Sequence, residues 1–328
     1  MVKWLVIGIG DITRKRVLPA ILAEPRSELY GLLTRHPAKA APYAPARVFT
    51  SLDVALADPA IDAVYVASPV ALHAPQTIAA LRAGKHVLGE KPAALNYAEA
   101  QSMAQAARAS GRLWGIAFYR RLYPKLLRTR ELIAAGAIGQ PVLAEANCHS
   151  WLPVQERSWL WDPALAGGGP LYDIASHRID ACNFFFGRPM RATGLLSNAV
   201  HRLGVEDSAT VLIDYQHGIR GIVDVRWNSH IERDQFRVIG TDGAIDLDPL
   251  NGPTLLCCGR EEHLPAPANL HFPAVANFAG AVADGTPVMC PGEEAIWTDW
   301  VTEEVMKSGS ERPPGVWQDA EKSIGLST

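Results

Sequence analysis

The first 118 residues alternate short apolar strands with helical stretches, and no other feature restricts the fold as much. Val2 to Ile9 is a continuous apolar strand that runs into Gly8-Ile9-Gly10. Leu29 to Leu33 reads as a second strand, and Ala63 to Ala67 as another after the turn-like Asp58-Pro59-Ala60. A helix follows near Leu72 to Arg82, then a short strand at Val87-Leu88. Asn96 caps the next helix, with Glu99 three residues on as a capping box requires. Leu113 to Phe118 closes the series. Alternation at this spacing predicts an α/β unit, a doubly wound parallel sheet of Rossmann type.

In open parallel sheets, ligands bind outside the carboxyl ends of the strands. Three strand ends here carry candidate chemistry. Gly8-Ile9-Gly10-Asp11-Ile12-Thr13 follows the first strand, where glycines allow a tight turn and close approach of a pyrophosphate to a helix N-terminus. Thr13 occupies the third small position, and an ordinary βα turn is the bland alternative. The second strand ends at Thr34-Arg35-His36. An acid there would take the ribose hydroxyls of NAD, whereas Arg35 suits a 2'-phosphate, so NADP is favoured over NAD. A solvated arginine is the alternative, and His36 is as readily a bystander. Glu90-Lys91-Pro92 follows Lys85-His86-Val87-Leu88-Gly89, reached through the Ala83-Gly84 turn. Pro92 cannot donate to a ladder, so it ends the strand and leaves Lys91 facing a ligand. A charged surface turn is the alternative there.

The pattern changes after Pro124. A helix at Leu126 to Ala135 leads into longer strands at Pro141 to Trp151, Arg191 to Val200, Ser208 to Asp214, Gly221 to Trp227 and Phe236 to Ile239. His217-Gly218 and Thr241-Asp242-Gly243 supply hairpin turns. One helix, Gly169 to Phe186, interrupts the series. These elements predict an α+β domain on a mostly antiparallel sheet. The expected division is residues 1–122, 123–307 with Glu293 to Lys307 as a last helix, and a loose polar tail from 308 to 328.

The interrupting helix starts through Gly167-Gly168-Gly169-Pro170 and carries Asp173 and His177. Residues four apart share a helix face, so the carboxylate would orient the imidazole and stabilise its charged form. That makes a proton acceptor poised near neutral pH. A surface pair or half a metal site is the alternative, but no third ligand stands at a suitable spacing, so no metal is expected. Tyr119, Tyr123, Trp151, Trp159, Trp161 and Tyr172 would line a sugar or polyol pocket, or simply pack.

Composition excludes other classes. With 328 residues, 48% apolar, and a formal net charge of -3, the chain can bury a large core and lacks the Lys/Arg runs of a nucleic-acid binder. No apolar run is long enough to span a bilayer, and the start runs directly into a strand. The five cysteines contain no CxxC pair, which fits reduced, packed residues of a cytoplasmic protein.

Together these residues resemble the family of glucose-fructose oxidoreductase and inositol dehydrogenase. The pieces that carry the resemblance are Gly8-Ile9-Gly10-Asp11-Ile12, Val64-Tyr65-Val66-Ala67-Ser68-Pro69, Ala83 to Pro92, and Asp162-Pro163 ahead of the glycine run, Asp173 and His177. The resemblance implies a Rossmann domain followed by a domain with a large open sheet, whose free face serves a homodimer or homotetramer. It implies that Lys91 contacts the reacting hydroxyl and the nicotinamide ribose, that His177 moves the proton with Asp173 assisting, and that the Lys91-Pro92 bond is cis. The implied cofactor contacts are Gly8, Gly10, Asp11, Ile12, Thr34, Arg35, Ser68, Pro69, His73, Glu90 and Lys91. The implied substrate contacts are Tyr119, Trp159, Tyr172, Asp173 and His177. Val70, Leu160 and Tyr119 depart from residues common in such proteins. The implied activity is hydride transfer between NAD(P) and a secondary alcohol or ketone of a sugar, sugar derivative or polyol. An NAD-assisted glycosidase or lyase, and a dinucleotide-sensing regulator, are the alternatives. Loss of Lys91 or of the Asp173/His177 pair would mark the regulator, and neither is lost.

Overall fold

The computed structural model describes residues 1–310 of the chain. Its first layer is a six-stranded sheet of β1 (Val2–Ile7), β2 (Ser27–Leu33), β3 (Arg47–Phe49), β4 (Ala63–Val66), β5 (His86–Gly89) and β6 (Trp114–Ile116). The order is β3-β2-β1-β4-β5-β6 and every pairing is parallel. Between the strands run α1 (Leu18–Ala23), α2 (Leu52–Leu56), α3 (His73–Arg82) and α4 (Tyr97–Ser110). The Asn96 Oδ1 accepts from the Glu99 N–H at 2.9 Å to start α4, and Gly111, at φ 63°, ends it. The Glu99 carboxylate reaches back to the Leu95 N–H at 3.2 Å, one residue before the cap.

The unbroken apolar run of β1 follows from its two covered faces. Leu5 and Ile7 pack with Ala80, Leu81, Ala100 and Met103 from α3 and α4, whereas Trp4 and Val6 pack on the opposite face. That second face is closed by α1 and by α8 (Phe272–Asp284), a helix from the last fifth of the chain. The Trp4 ring lies 5.9 Å from Phe278 and 6.5 Å from Tyr65. Truncating a buried Trp of this kind costs about 3–5 kcal/mol, so α8 is integral to the first layer.

The second layer contains α5 (Pro124–Ala134), β7 (Pro141–Trp151), α6 (Pro163–Ala166), α7 (Ser176–Phe186), β8 (Arg191–Ser197), β9 (Ser208–Asp214), β10 (Arg220–Arg226), β11 (Asn228–Gly240), β12 (Ala244–Leu247), β13 (Thr254–Cys257) and β14 (Arg260–His263). Its eight strands run β14-β13-β12-β11-β7-β10-β9-β8, antiparallel except for the central β7/β10 pair. One face holds the larger core, where Ala144, Val211, Val223 and Val238 meet Leu126 of α5, Ile179 of α7, and Val301 and Val305 of α9 (Gly292–Ser310). The other face is open, and Leu195 there is 75% exposed.

Several elements differ from expectation. The strand β11 is 13 residues long rather than four, and β3, β12, β13, β14 and α8 add to the predicted set. The predicted helix from Gly169 begins instead with a π-helical turn, Leu171–Ala175, before α7. Residues 308–310 continue α9, held where the Gly194 N–H donates to Ser308 Oγ at 3.0 Å on the edge of β8. The rest of the expected tail, 311–328, lies outside the described residues.

Candidate active site

The strand order reverses between β1 and β4, and the turn after β1 sits at that point. Gly8 has φ 91°, and a Cβ there would meet the Ala67 carbonyl oxygen at 2.7 Å, so the turn closes directly on the end of β4. A Cβ on Gly10 would meet nothing within 4 Å, which leaves its backbone bare. Thr13 is buried with no partner for its Oγ1. Ile12 is exposed, and Asp11 is exposed beside Arg14 at 2.5 Å, whose hydrogen bond holds the carboxyl below its ordinary value. An open glycine turn, an unmatched hydroxyl and a helix start at the switch point fit a dinucleotide pyrophosphate. Beyond β2, Thr34 is buried and its Oγ1 accepts from the His36 N–H at 3.0 Å, leaving Arg35 and His36 exposed.

The loops after β4 and β5 are tied to each other. His73 is buried, with Nδ1 2.9 Å from the Pro92 carbonyl and Nε2 2.8 Å from that of Ser68. Burial favours the neutral imidazole, whose single N–H donates to one of these carbonyls while the other nitrogen lies against the second, so His73 packs the Ser68-Pro69 loop on the cis Lys91–Pro92 segment. Ser68 Oγ, in turn, donates to Gln76 at 2.7 Å.

Glu90 is buried under the sheet end, where its Oε1 accepts from Tyr65 at 2.8 Å and faces His271 Nε2 at 3.1 Å. Burial alone would raise this carboxyl, but His271, Tyr65 and Lys91 outweigh it and hold the group below its ordinary value. Lys91 Nζ donates to both the carbonyl and the Oδ1 of Asp173, at 2.6 and 2.7 Å. Burial again raises the Asp173 carboxyl, and Lys91, with Arg157 and Arg178, brings it below the ordinary range.

The π-helical turn changes the relation of Asp173 to His177. Its wider i→i+5 winding removes the strict one-turn stacking that an i,i+4 pair has on an α-helix. The Asp173 carboxylate is turned to Lys91, and no hydrogen bond joins it to His177 among the described residues. His177 is buried with its Nδ1 unpartnered, packed edge-on to Phe118 at 5.9 Å and against Tyr119 at 5.1 Å. Burial, then Arg120, Lys91 and Arg178, push its pKa well below the ordinary histidine value. The expected acceptor poised near neutrality is therefore a neutral base, unprotonated throughout the physiological range. The acid limb of kcat/KM for alcohol oxidation is accordingly expected below pH about 6.5. A limb at pH 7 or above, measured on an identified substrate, would contradict this. The sign for stability agrees. A folded value below the unfolded one stabilises fully above pH about 6.5 and the contribution is lost as pH falls below it.

The glycine run serves packing rather than ligand approach. Cβ atoms on Gly167 and Gly168 would each fall 2.5 Å from the Tyr172 ring, and one on Gly169 would fall 2.0 Å from the Glu206 carbonyl oxygen. Tyr172 is buried by this contact, and its hydroxyl donates to the Leu95 carbonyl at 3.0 Å, away from a substrate role. Buried Glu206 accepts from the N–H groups of Gly169 and Leu171 at 2.9 and 3.0 Å. Of the aromatics, Tyr119 is central, its ring 4.4 Å from His271 and 5.8 Å from Tyr123. Trp159 is 40% exposed. Trp161 packs on Trp227 at 5.1 Å, and Trp151 stacks on His230 at 4.2 Å. A groove of about 920 Å³ lies elsewhere, at the amino ends of β4 and β5 beside Asp62, Lys85 and His86, opposite the end that carries Lys91.

Sequence reasoning missed His271, Arg120 and Glu206. The first had a signal. Pro273 near the start and Gly285 at the end bracket α8, with His271 at its N-cap position. Glu206 had none, because only the fold brings it to the glycine run.

Comparison with known proteins bears on this arrangement. Residues 2–118 match the model of the oxidoreductase family with an NAD-binding Rossmann fold, and residues 126–246 match the GFO/IDH/MocA C-terminal domain. The chain is 32% identical over 311 residues to 1,5-anhydro-D-fructose reductase of Ensifer adhaerens, covering 91% of this chain and 93% of that one. It is 29% identical over 248 residues to D-xylose 1-dehydrogenase (NADP(+)) 2 of Haloferax volcanii, covering 74% and 75%. The structure of levoglucosan dehydrogenase in complex with NADH and levoglucosan superposes with a TM-score of 0.86 at 22% identity, over 94% of this chain and 97% of that one. The Rossmann sheet and its matches define an NAD(P)-dependent oxidoreductase. The chain belongs to the Gfo/Idh/MocA family.

Proposed function

We propose that the protein transfers a hydride between a nicotinamide cofactor and a secondary alcohol or ketone of a sugar, sugar derivative or polyol. The observation that carries this reading is the Lys91–Asp173 ion pair at 2.7 Å, held next to a neutral His177 at the carboxyl ends of β4 and β5. Relatives named as a sugar reductase and a sugar dehydrogenase support the substrate class. Bound nicotinamide supplies the hydride acceptor or donor. Gly8, Gly10 and Thr13 would hold the dinucleotide's pyrophosphate. Lys91, fixed by two oxygens of Asp173, polarises the substrate oxygen by hydrogen bonding. His177 accepts the hydroxyl proton in oxidation and returns it in reduction. Glu90 and His73 keep Lys91 in place through the loop that follows β5.

Exposed Arg35 is read as the group that receives a 2'-phosphate, making NADP the preferred cofactor. Relatives are named with NADP(+) and with NADH, so the choice rests on this one side chain. The open face of the second sheet, with Leu195 and Leu212 outward, suits assembly of two or four copies, which the mass in solution would check. The test of the whole reading is a cofactor-reduction screen over sugars, sugar acids and polyols with NAD and NADP side by side. Turnover with a lower KM for NADP is expected. Equal use of both cofactors would remove the case for Arg35, and no reduction of either would remove the reading itself.

A further inference from the structure

We propose that the substrate carries a single carboxylate received by Arg120, so that the class turned over is a sugar acid, an aldonate or uronate, in preference to a neutral or phosphorylated sugar. This rests on the reading of the site as a sugar or polyol oxidoreductase.

The charges around His177 pair off with one exception. Lys91 is held by Asp173 at 2.7 Å, Arg178 by Asp234 at 2.6 Å, Arg121 by Asp180 at 2.7 Å, and His271 faces Glu90 at 3.1 Å. Arg120 is only 7% exposed, yet no carboxylate lies within ion-pair distance among the described residues. Its Nε donates to the neutral amide oxygen of Asn251 at 3.0 Å, and its Nη1 is buried with no partner. Asn251 cannot pass on a charge from Asp234, because that carboxylate is already shared between the Asn251 amide and Arg178. Arg178 has an unpartnered Nε as well, but its charge is compensated.

A guanidinium cannot relieve burial by losing its proton, as a lysine or histidine can. An uncompensated buried arginine is costly unless an anion arrives to meet it. Arg120 is positioned for a substrate anion. It follows β6 at the carboxyl end of the sheet, its guanidinium lies 5.1 Å from the centre of the Tyr119 ring, and that ring is 5.1 Å from His177. The dinucleotide's pyrophosphate is already assigned to the Gly8–Thr13 turn, whereas Arg120 lies against the Tyr119 ring that packs on His177, so the anion it receives is read as the substrate's. One unmatched positive charge balances one carboxylate. A phosphate monoester would bring about 1.5 to 2 negative charges at pH 7, and the planar fork of arginine matches a carboxylate's two oxygens.

The experiment uses the full-length enzyme with its preferred cofactor and matched triplets: D-glucose, D-glucuronate and glucose 6-phosphate, the corresponding galactose set, and the wider panel of neutral sugars, polyols and aldonates. The expected result is a kcat/KM for the best acid about tenfold or more above its neutral partner. In Arg120→Gln that ratio should fall to near one, and Arg120→Lys should keep part of it. Wild-type preference for neutral or phosphorylated substrates would overturn the inference while leaving the oxidoreductase reading intact, and so would an unchanged ratio in a folded Arg120→Gln variant. No cofactor reduction with any member of the panel would overturn both. The wild-type ratio decides the matter even if Arg120→Gln fails to fold.

Discussion

Lys91→Met is expected to lower kcat by about 10²–10⁴-fold on any substrate the wild type oxidises. Methionine keeps the length and packing of the side chain and removes only the charge and its donors. Two consequences then separate. The substrate oxygen loses its polarising donor, which acts on turnover. Asp173 loses the cation that holds its carboxyl low, which acts on stability. Breaking a fully buried pair costs about 3–5 kcal/mol, but both partners here retain some solvent contact, so about 1–3 kcal/mol is the fitting range. The double variant Lys91→Met/Asp173→Asn should recover most of the lost stability and none of the turnover. A Lys91→Met enzyme that folds, binds cofactor and turns over at the wild-type rate would show that the lysine has no part in the chemistry.

Gly169→Ala is expected to be severely damaging, lowering stability by more than about 4 kcal/mol in chemical denaturation. The added methyl would sit 2.0 Å from the Glu206 carbonyl oxygen, and backbone cannot swing aside as a side chain can. Moving the two segments apart also breaks the hydrogen bonds from Gly169 and Leu171 to the Glu206 carboxylate, a buried acid whose pKa is already raised by desolvation. Those bonds start the turn that places Asp173. Gly10→Ala is the control. Nothing lies within 4 Å of a Cβ there, so its stability should stay within about 1 kcal/mol of wild type while affinity for the dinucleotide falls. Wild-type stability in Gly169→Ala would mean that the close approach to Glu206 is not a constraint.

How far the chain could be read before its structure was known follows from which forces are local. The β1 strand, the Asn96 cap and the Glu90-Lys91-Pro92 strand end are specified by neighbouring residues, and their periodicity and capping chemistry are visible in order along the chain. The helix α8 carries Val275, Phe278, Ala279 and Val282 at helical spacing, but its partner, the Trp4 face of the first sheet, is distant in the chain, so its place in that layer is not written in its own residues. The same division runs through the site. Lys91, Asp173 and His177 were legible as residue types. Their electrostatic relation was not, because it depends on the π-helical turn that directs Asp173 toward Lys91. A run of glycines such as Gly167-Gly168-Gly169 would by itself leave room for a ligand. It is filled by Tyr172 and Glu206, one adjacent in sequence and one 37 residues away from Gly169. Tyr172 and His73 were expected at the ligand, but the Tyr172 hydroxyl donates to a backbone carbonyl and the His73 ring lies between two of them.

The central claim is direct hydride transfer at a site built on Lys91 and His177, and isotope transfer tests it most directly. A substrate found in the cofactor screen, deuterated at its carbinol carbon, is oxidised by the wild-type enzyme and the reduced cofactor is examined by mass and NMR. The expected result is one deuterium at C4 of the nicotinamide for each ketone formed, with the yield of both falling together in Lys91→Met. Product formed by elimination with no net cofactor reduction, or deuterium released to water, would contradict the claim.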